Sequence, residues 1–405
     1  SRTDYDAKNI IDAKNLTIIP GAIDSQVHFR EPGATYKEDL ESGSRSAALG
    51  GITSVFEMPN TSPPTSTPEL LSEKLELAKN RMWTNYAFFG GATSDNFHFL
   101  EEIEYMPGCS GIKIFMGSST GNLLSATDEE VEAVVANGRR VIAVHAEDEF
   151  IMNENKKTIL KDSNDVGMHC KWRNVESALN ATRRVVTLGK KHNRHIHVLH
   201  ITTADEMDFL RENKDTATVE VLPNHLTMHA PECYEELGTL AQQNPPIREK
   251  EHQDALWRAI DDGTVDIVAS DHAPHTLEEK SGVYPSTPSG TPGVQTLLPV
   301  MLDHAANGKL SYERIVDLMA YGPKRVHKIK NKCAITEGYD ADFTVVDPNL
   351  IHEITNEEQA SKSGWTPYNN IEVKGYPVMT IIRGKLIMKD GELLERQAKP
   401  IEFEI

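Results

Sequence analysis

The chain has 405 residues, with 61 acidic against 42 basic side chains and a formal net charge of -19. That length buries a large core and exceeds the usual single-domain size, so one big domain with a smaller companion is expected. The acidic balance argues against nucleic acid or an anionic membrane as the main partner. No apolar run reaches membrane-spanning length and no charged-then-apolar leader opens the chain, so a soluble, cytoplasmic protein is expected. Cys109, Cys170, Cys233 and Cys333 lie far apart without a C-x-x-C pair, which points away from a zinc ribbon or a disulfide framework.

The first 20 residues, with "NIIDAKNLTIIPG", read as β structure. Strand-like runs then follow at 18–29, 52–58, 85–92, 111–116, 140–146, 195–201, 218–223 and 265–271. Between them lie segments such as "PELLSEKLELAKNRM" and "VESALNATRRVVTLGKKH", whose apolar residues recur at helical spacing. Repeated strand and helix predict an α/β fold, a (β/α)8 TIM barrel over 21–334, with chemistry just past the C-terminal ends of the strands. A doubly wound open sheet is the competing layout. Past 335 the texture changes: "ITEGYDADFTVVD" and "VMTIIRGKLIMKDGELL" read as strands, the second a hairpin turning at Asp390-Gly391. Residues 1–20 plus 335–405 are thus expected to form a small β domain.

The polar residues of these strands are the candidates for chemistry. In "AIDSQVHFRE" the period of two places Asp24, Gln26, His28 and Arg30 on one face and Ile23, Ser25, Val27 and Phe29 on the other. Four polar groups on one face of an apolar strand are costly unless something binds them, which suggests a metal site. In "HIHVLHIT" alternation groups Ile196, Val198 and His200, leaving His195 and His197 on the helix-facing side. His145 ends "RRVIAVHAEDE" in the same way. A lone histidine is more often a hydrogen-bonded core residue, but three strands of one barrel would deliver these imidazoles to the same rim. Lys113 sits inside the apolar "GIKIFMGSS", where an ammonium either snorkels to the surface or has been changed, for instance by carbamylation. The eighth strand ends in "IVASDHAPHT", offering Asp271, His272 and His275.

In this order "DSQVHFREPG", "EMPN", "GIKIF", "VHAED", "HVLHIT", "NPPIR" and "SDHAPHT" resemble the dihydroorotases of the amidohydrolase superfamily, of the class related to the dihydroorotase domain of the multifunctional pyrimidine-synthesis polypeptide. The resemblance runs from "IIDAKNLTIIPG" to "GWTPYNN" and the final hairpin, and "DHAPHT" with "REPG" separates dihydroorotases from allantoinases and hydantoinases. It implies zinc, one or two ions per chain. His28 and Asp271 would hold the first, His145 and His200 the second, and carbamylated Lys113 would bridge them. It also implies Asp271 as the acid/base, and Arg30, Asn60, Asn244 and His275 as substrate-binding residues, the arginine and histidine gripping a carboxylate. The "SGTPG" loop, Ser289 to Gly293, would close over a pyrimidine ring. The implied reaction is the reversible closure of N-carbamoyl-L-aspartate to dihydroorotate in de novo pyrimidine synthesis, by a homo-oligomer, for instance a dimer.

Two departures stand out. Gln26 occupies the position where the family carries a second histidine, and an amide oxygen is a weaker zinc ligand than imidazole. The family also carries two or three more strands before the point where this chain begins, so a shortened small domain is expected. Gln26 keeps a second class in view, a metal-poor homologue serving another pyrimidine enzyme. A third class is another cyclic amidohydrolase, acting on hydantoin, dihydropyrimidine or allantoin.

Overall fold

The computed structural model describes residues 10–93, 95–117, 123–161 and 163–404. A short strand, β1 (Thr17–Pro20), precedes eight parallel strands: β2 (Ala22–Val27), β3 (Ile52–Glu57), β4 (Asn85–Gly91), β5 (Cys109–Phe115), β6 (Ile142–His145), β7 (Ile196–Val198), β8 (Ala217–Val221) and β9 (Ile267–Val268). The eight are hydrogen-bonded in strict chain order from β2 to β9. A parallel bridge between Val27 and His272, with the His28 N–H donating to the His272 carbonyl at 2.7 Å, joins the last strand to the first. A doubly wound sheet would reverse its strand order at an interior switch point; this sheet never reverses and closes on itself, so the fold is the expected (β/α)8 barrel.

Strands β2 to β6 are buried on both faces. Helices cover the outside of such a barrel and side chains fill its inside, which is why these runs read as nearly continuous apolar sequence. The helix Val175–His192 shows how the outer layer forms. Asn174 caps it by accepting from the Ser177 N–H, and Asn193 stops it in a left-handed conformation at φ 50. Ala178, Ala181, Val185 and Val186 repeat at helical spacing and bury one face. Inside the barrel, Ile23, Phe56, Phe89, Ala143 and Leu199 form a cluster closed from below by Ile329, Ile401 and Phe403.

The second sheet is antiparallel, in the order β1, β10 (Phe343–Ile354), β11 (Ile371–Ile382), β12 (Lys385–Lys389) and β13 (Glu392–Leu393). Of the first 20 residues, those described form strand only at Thr17–Pro20, and Ile10 is 86% exposed. The C-terminal hairpin has two turns where the sequence suggested one. Asp390-Gly391 turns with both φ positive, 48 and 81, and Arg383-Gly384 does the same at 51 and 76. Both fit the mirror-image turns that match strand twist. The sheet abuts the barrel closely at Gly51, whose φ is 83 and where a Cβ would lie 2.6 Å from Pro377 of β11. Among the described residues no helix is long and apolar enough to cross a membrane.

Candidate active site

The C-terminal rim of the barrel gathers its polar groups where strands end irregularly. β2 slips register against β3 between Asp24 and Val27, and the Gln26 N–H turns onto the Asp24 carboxylate at 3.2 Å. The irregularity breaks the period of two expected for this strand. Ser25, assigned to the opposite face from Gln26, donates its hydroxyl to Glu220 inside the barrel at 3.1 Å. Gln26 nevertheless reaches the rim, and its Nε2 donates to Asp271 Oδ1 at 3.0 Å. His200 and Asp271 lie just past β7 and β9 at φ 40 and 47, and Arg30 just past β2 at φ 62. Left-handed backbone costs a residue with a Cβ roughly 1–2 kcal/mol and clusters at functional sites. At His200 the turn also corrects the sequence reading of "HIHVLHIT". Ile196 and Val198 pack with the helices, whereas His197 is inside the barrel, 3.6 Å from Glu220 and beside His327.

Two pairs of ligand-type atoms result. His28 bonds the Asn60 carboxamide oxygen through Nδ1 at 2.7 Å and faces Asp271 Oδ1 with Nε2 at 3.1 Å. Because a carboxamide oxygen only accepts, the Nδ1 carries the proton, and the Nε2 lone pair faces a carboxylate. Two acceptors at that separation need a shared proton or cation. Burial lowers the His28 pKa despite Asp271, which disfavours the proton. Across the bowl, His145 Nδ1 and His200 Nε2 are 3.1 Å apart. His145 Nε2 donates to Glu147 at 2.7 Å, and Glu147 is clamped by Arg173, so the His145 lone pair is fixed at Nδ1. Both separations approach the edge, roughly 3.3 Å, of a tetrahedron with zinc bonds of ~2.0–2.1 Å.

Lys113 lies close enough to both pairs for its charge to be felt by His28, His145, His200 and Asp271. It does not snorkel: it is 1% exposed, with its Nζ 4.5 Å from the Phe115 ring centroid. Burial pulls its pKa down to about 7, against the opposing charges of Asp271 and Glu220. Burial alone would raise the Asp271 carboxyl, but the hydrogen bond and charge of His28, with His200 and Lys113, hold it well below the usual carboxylate range.

Among the described residues no three His, Cys, Asp or Glu side chains converge tightly enough to hold an ion by themselves. The buried group near both pairs, the Lys113 ammonium, is a donor, and a carbamate there would turn it into an acceptor. Gln26 Oε1 and His200 Nδ1, both buried, have no hydrogen-bond partner. Since Asp271 accepts only, the Gln26 amide is oriented with its oxygen left over. The donor set fits a divalent cation at each pair, with the first site the poorer in imidazole.

A second cluster adjoins the first. Arg30 Nε donates to the Pro274 carbonyl at 3.3 Å, and its Nη2 lies 3.3 Å from His275 Nε2. Lys37 Nζ is 3.0 Å from His275 Nδ1, and the Ser289 carbonyl is 3.1 Å from His275 Nε2. Burial, then the charges of Arg30, Lys37 and Lys280, lowers the His275 pKa to about 2, so the ring is neutral. Lys37 only donates, so Nδ1 accepts and the proton is on Nε2. Arg30 Nη2 and His275 Nε2 are therefore two donors side by side, suited to an anionic oxygen that shares the imidazole proton with the Ser289 carbonyl. Asn60 is held against His28, and Asn244 Oδ1 lies 3.0 Å from His169 Nε2 with no bond to the other predicted residues. Sequence reasoning missed Glu147, Arg173, Glu220 and Lys37. Only Glu147 carried a signal, standing two residues past His145 in "VHAED".

The barrel, its polar rim and the second sheet define an amidohydrolase architecture, and the chain belongs to the amidohydrolase family, whose model matches residues 17–387. Among curated proteins it is 35% identical over 395 residues to the dihydroorotase of Halobacterium salinarum, spanning 96% of this chain and 90% of that one. It is 32% identical to the dihydroorotase of Methanothermobacter thermautotrophicus over 407 residues, 100% and 91% of the two chains. Among solved structures, the L-hydantoinase (dihydropyrimidinase) of Arthrobacter aurescens superposes with a TM-score of 0.94 at 28% identity, over 99% of this chain and 92% of that one.

Proposed function

We propose that the chain is a dihydroorotase, catalysing the reversible cyclisation of N-carbamoyl-L-aspartate to dihydroorotate with release of water. The observation that carries this reading is the pair of adjacent donors, Arg30 Nη2 and His275 Nε2, beside Asp271. A hydantoin or dihydropyrimidine ring has no carboxylate to use them, whereas both substrates of this reaction do. The named relatives at 32–35% identity over nearly the whole chain support the same choice over the hydantoinase fold neighbours.

His28, Gln26 and Asp271 would hold one zinc, His145 and His200 a second, with carbamylated Lys113 between. Zinc bound there would supply a nucleophile from water at neutral pH and polarise the carbonyl under attack. Asp271, whose carboxyl is held below the usual carboxylate range, takes the proton of the attacking water and passes it to the ring nitrogen as the amide opens. In the closing direction it takes the proton back from that nitrogen. Arg30 and His275 hold the substrate carboxylate and so fix which carbonyl faces Asp271. Glu147 keeps His145 in one tautomer throughout.

Turnover of dihydroorotate with and without a chelator, beside hydantoin and dihydrouracil, tests this directly. Strong, chelator-sensitive turnover of dihydroorotate alone is expected; preference for hydantoin would sink the assignment. Chelator-independent inactivity in a metal-supplemented protein would favour the metal-poor homologue, the reading that Gln26 supports. A cytoplasmic homo-oligomer completes the proposal, and four buried free cysteines suit a reducing compartment.

A further inference from the structure

We infer that Lys280 is a positioning residue for the carboxylate-binding end of this site, acting through the loop at 287–291. The inference rests on the dihydroorotase reading for its kinetic consequence and on geometry alone for the rest. Lys280 ends the short helix Leu277–Lys280, which Thr276 and Glu279 fasten by a reciprocal cap directly after His275. Its side chain is 0% exposed, yet among the described residues no carboxylate pairs with it. Its ammonium donates instead to three main-chain carbonyls: Gln242 at 2.9 Å, Pro288 at 3.1 Å and Gly290 at 3.1 Å. Three N–H groups meet three acceptors, so the group is saturated without a counter-charge.

Burying an unpaired ammonium is expensive, and burial lowers its pKa to about 7. An apolar side chain would fill the space more cheaply but could not gather three carbonyls. The two loop carbonyls it grips flank Ser289, whose own carbonyl is thereby turned onto His275 Nε2. The same loop is tied to Gln242 by the Gly290 N–H at 2.9 Å and by the Gln242 Nε2 on the Thr287 carbonyl at 2.9 Å. Gly290 has φ 138, and a Cβ there would lie 2.5 Å from the Ala273 carbonyl, so the loop has little freedom to reach Ser289's position otherwise. His275 is held between two lysines: Lys37 fixes its Nδ1 as acceptor, and Lys280, through Ser289, fixes where its Nε2 proton points. That direction sets the pairing with Arg30.

Lys280→Met in the full chain separates this role from simple packing. The Michaelis constant for dihydroorotate should rise at least tenfold with kcat within about threefold of the parent, and the Gly290 amide should exchange faster in hydrogen–deuterium exchange while the barrel strands do not. Lys280→Gln, which keeps two donors without the charge, should fall between parent and Met and guards against a Met variant that fails to fold. An unchanged Michaelis constant, or kcat and melting temperature falling in step with it, overturns the inference. Unaltered exchange at Gly290 overturns the clasp itself, whereas a parent that does not turn over dihydroorotate overturns only the functional reading.

Discussion

Asp271 combines three properties at one carbon: left-handed backbone, a carboxylate held ionised by its neighbours, and contact with both Gln26 and His28. If it shuttles the proton, Asp271→Ala should lower kcat by about 10²–10⁴ with the far-ultraviolet circular dichroism unchanged. A variant with near-parental turnover would assign the proton transfer elsewhere. Gln26 sets a second expectation. Its Oε1 is a weak donor atom, so metal titrated into the apo protein should fill the His145/His200 side first, and Gln26→His should bring metal content closer to two per chain. Equal, equally tight binding of two ions by parent and variant would show that the glutamine is no handicap. His169 offers a pH test away from the metal residues. Burial, then the charge of Arg173, lowers its pKa to about 3 from 6.5. Between those values the unfolded chain binds the proton that the fold refuses, so its contribution to stability falls as pH drops below 6.5, by up to about 1.4 kcal/mol per pH unit. His169→Gln should lose less stability than the parent between pH 6.5 and 4.5 in denaturant titrations, and identical slopes would count against the buried neutral ring.

At the scale of elements, what the sequence disclosed depended on whether polarity interrupted an apolar run. Lys113 was visible as a charge inside such a run, and His145, His200 and Asp271 as imidazole or carboxylate groups at or beyond the end of one, and the structure brings them to one bowl. The faces were less legible. In a barrel both sides of a strand are buried, so alternation says that His197 and Val198 point oppositely without saying which is inside. The irregularity in β2 and the left-handed turn at His200 then shift the side chains by one face. Pairings with partners farther along the chain, Glu147 with Arg173 or Lys280 with Gln242, leave no local pattern. Helix boundaries were the opposite case. "VESALNATRRVVTLGKKH" begins after a side-chain cap and ends at Asn193, and Asn174→Ala should cost about 1 kcal/mol in a denaturant titration while leaving the Michaelis constant alone. A loss of substrate affinity instead would tie that helix to the site more directly than its outward position suggests.

The whole molecule couples a barrel to a sheet through very close approaches. At Gly51, just before β3, the backbone is left-handed and Pro377 of β11 occupies the place of a side chain. Gly51→Ala should therefore destabilise the fold by more than the ~1 kcal/mol of an ordinary glycine replacement, read as a lower unfolding midpoint; an unchanged midpoint would mean the two parts yield there easily. From the sheet side, the segment after β10 sends Trp365 to the His275 carbonyl at 2.7 Å, so the second sheet helps shape the rim rather than merely flanking it.

The ring itself is welded where the reaction is proposed to occur. Val27 and His28 from the first barrel strand meet His272 from beyond the last, and Gln26 bonds Asp271 across 245 residues of sequence. No shorter piece of the chain can hold both halves of that bowl, so a ribosome-bound chain released before residue 272 should carry most of the barrel and none of the activity. A permuted chain opened in a loop far from this weld should keep its turnover, whereas one opened between β9 and His272 should fold a comparable core with its reactive groups adrift.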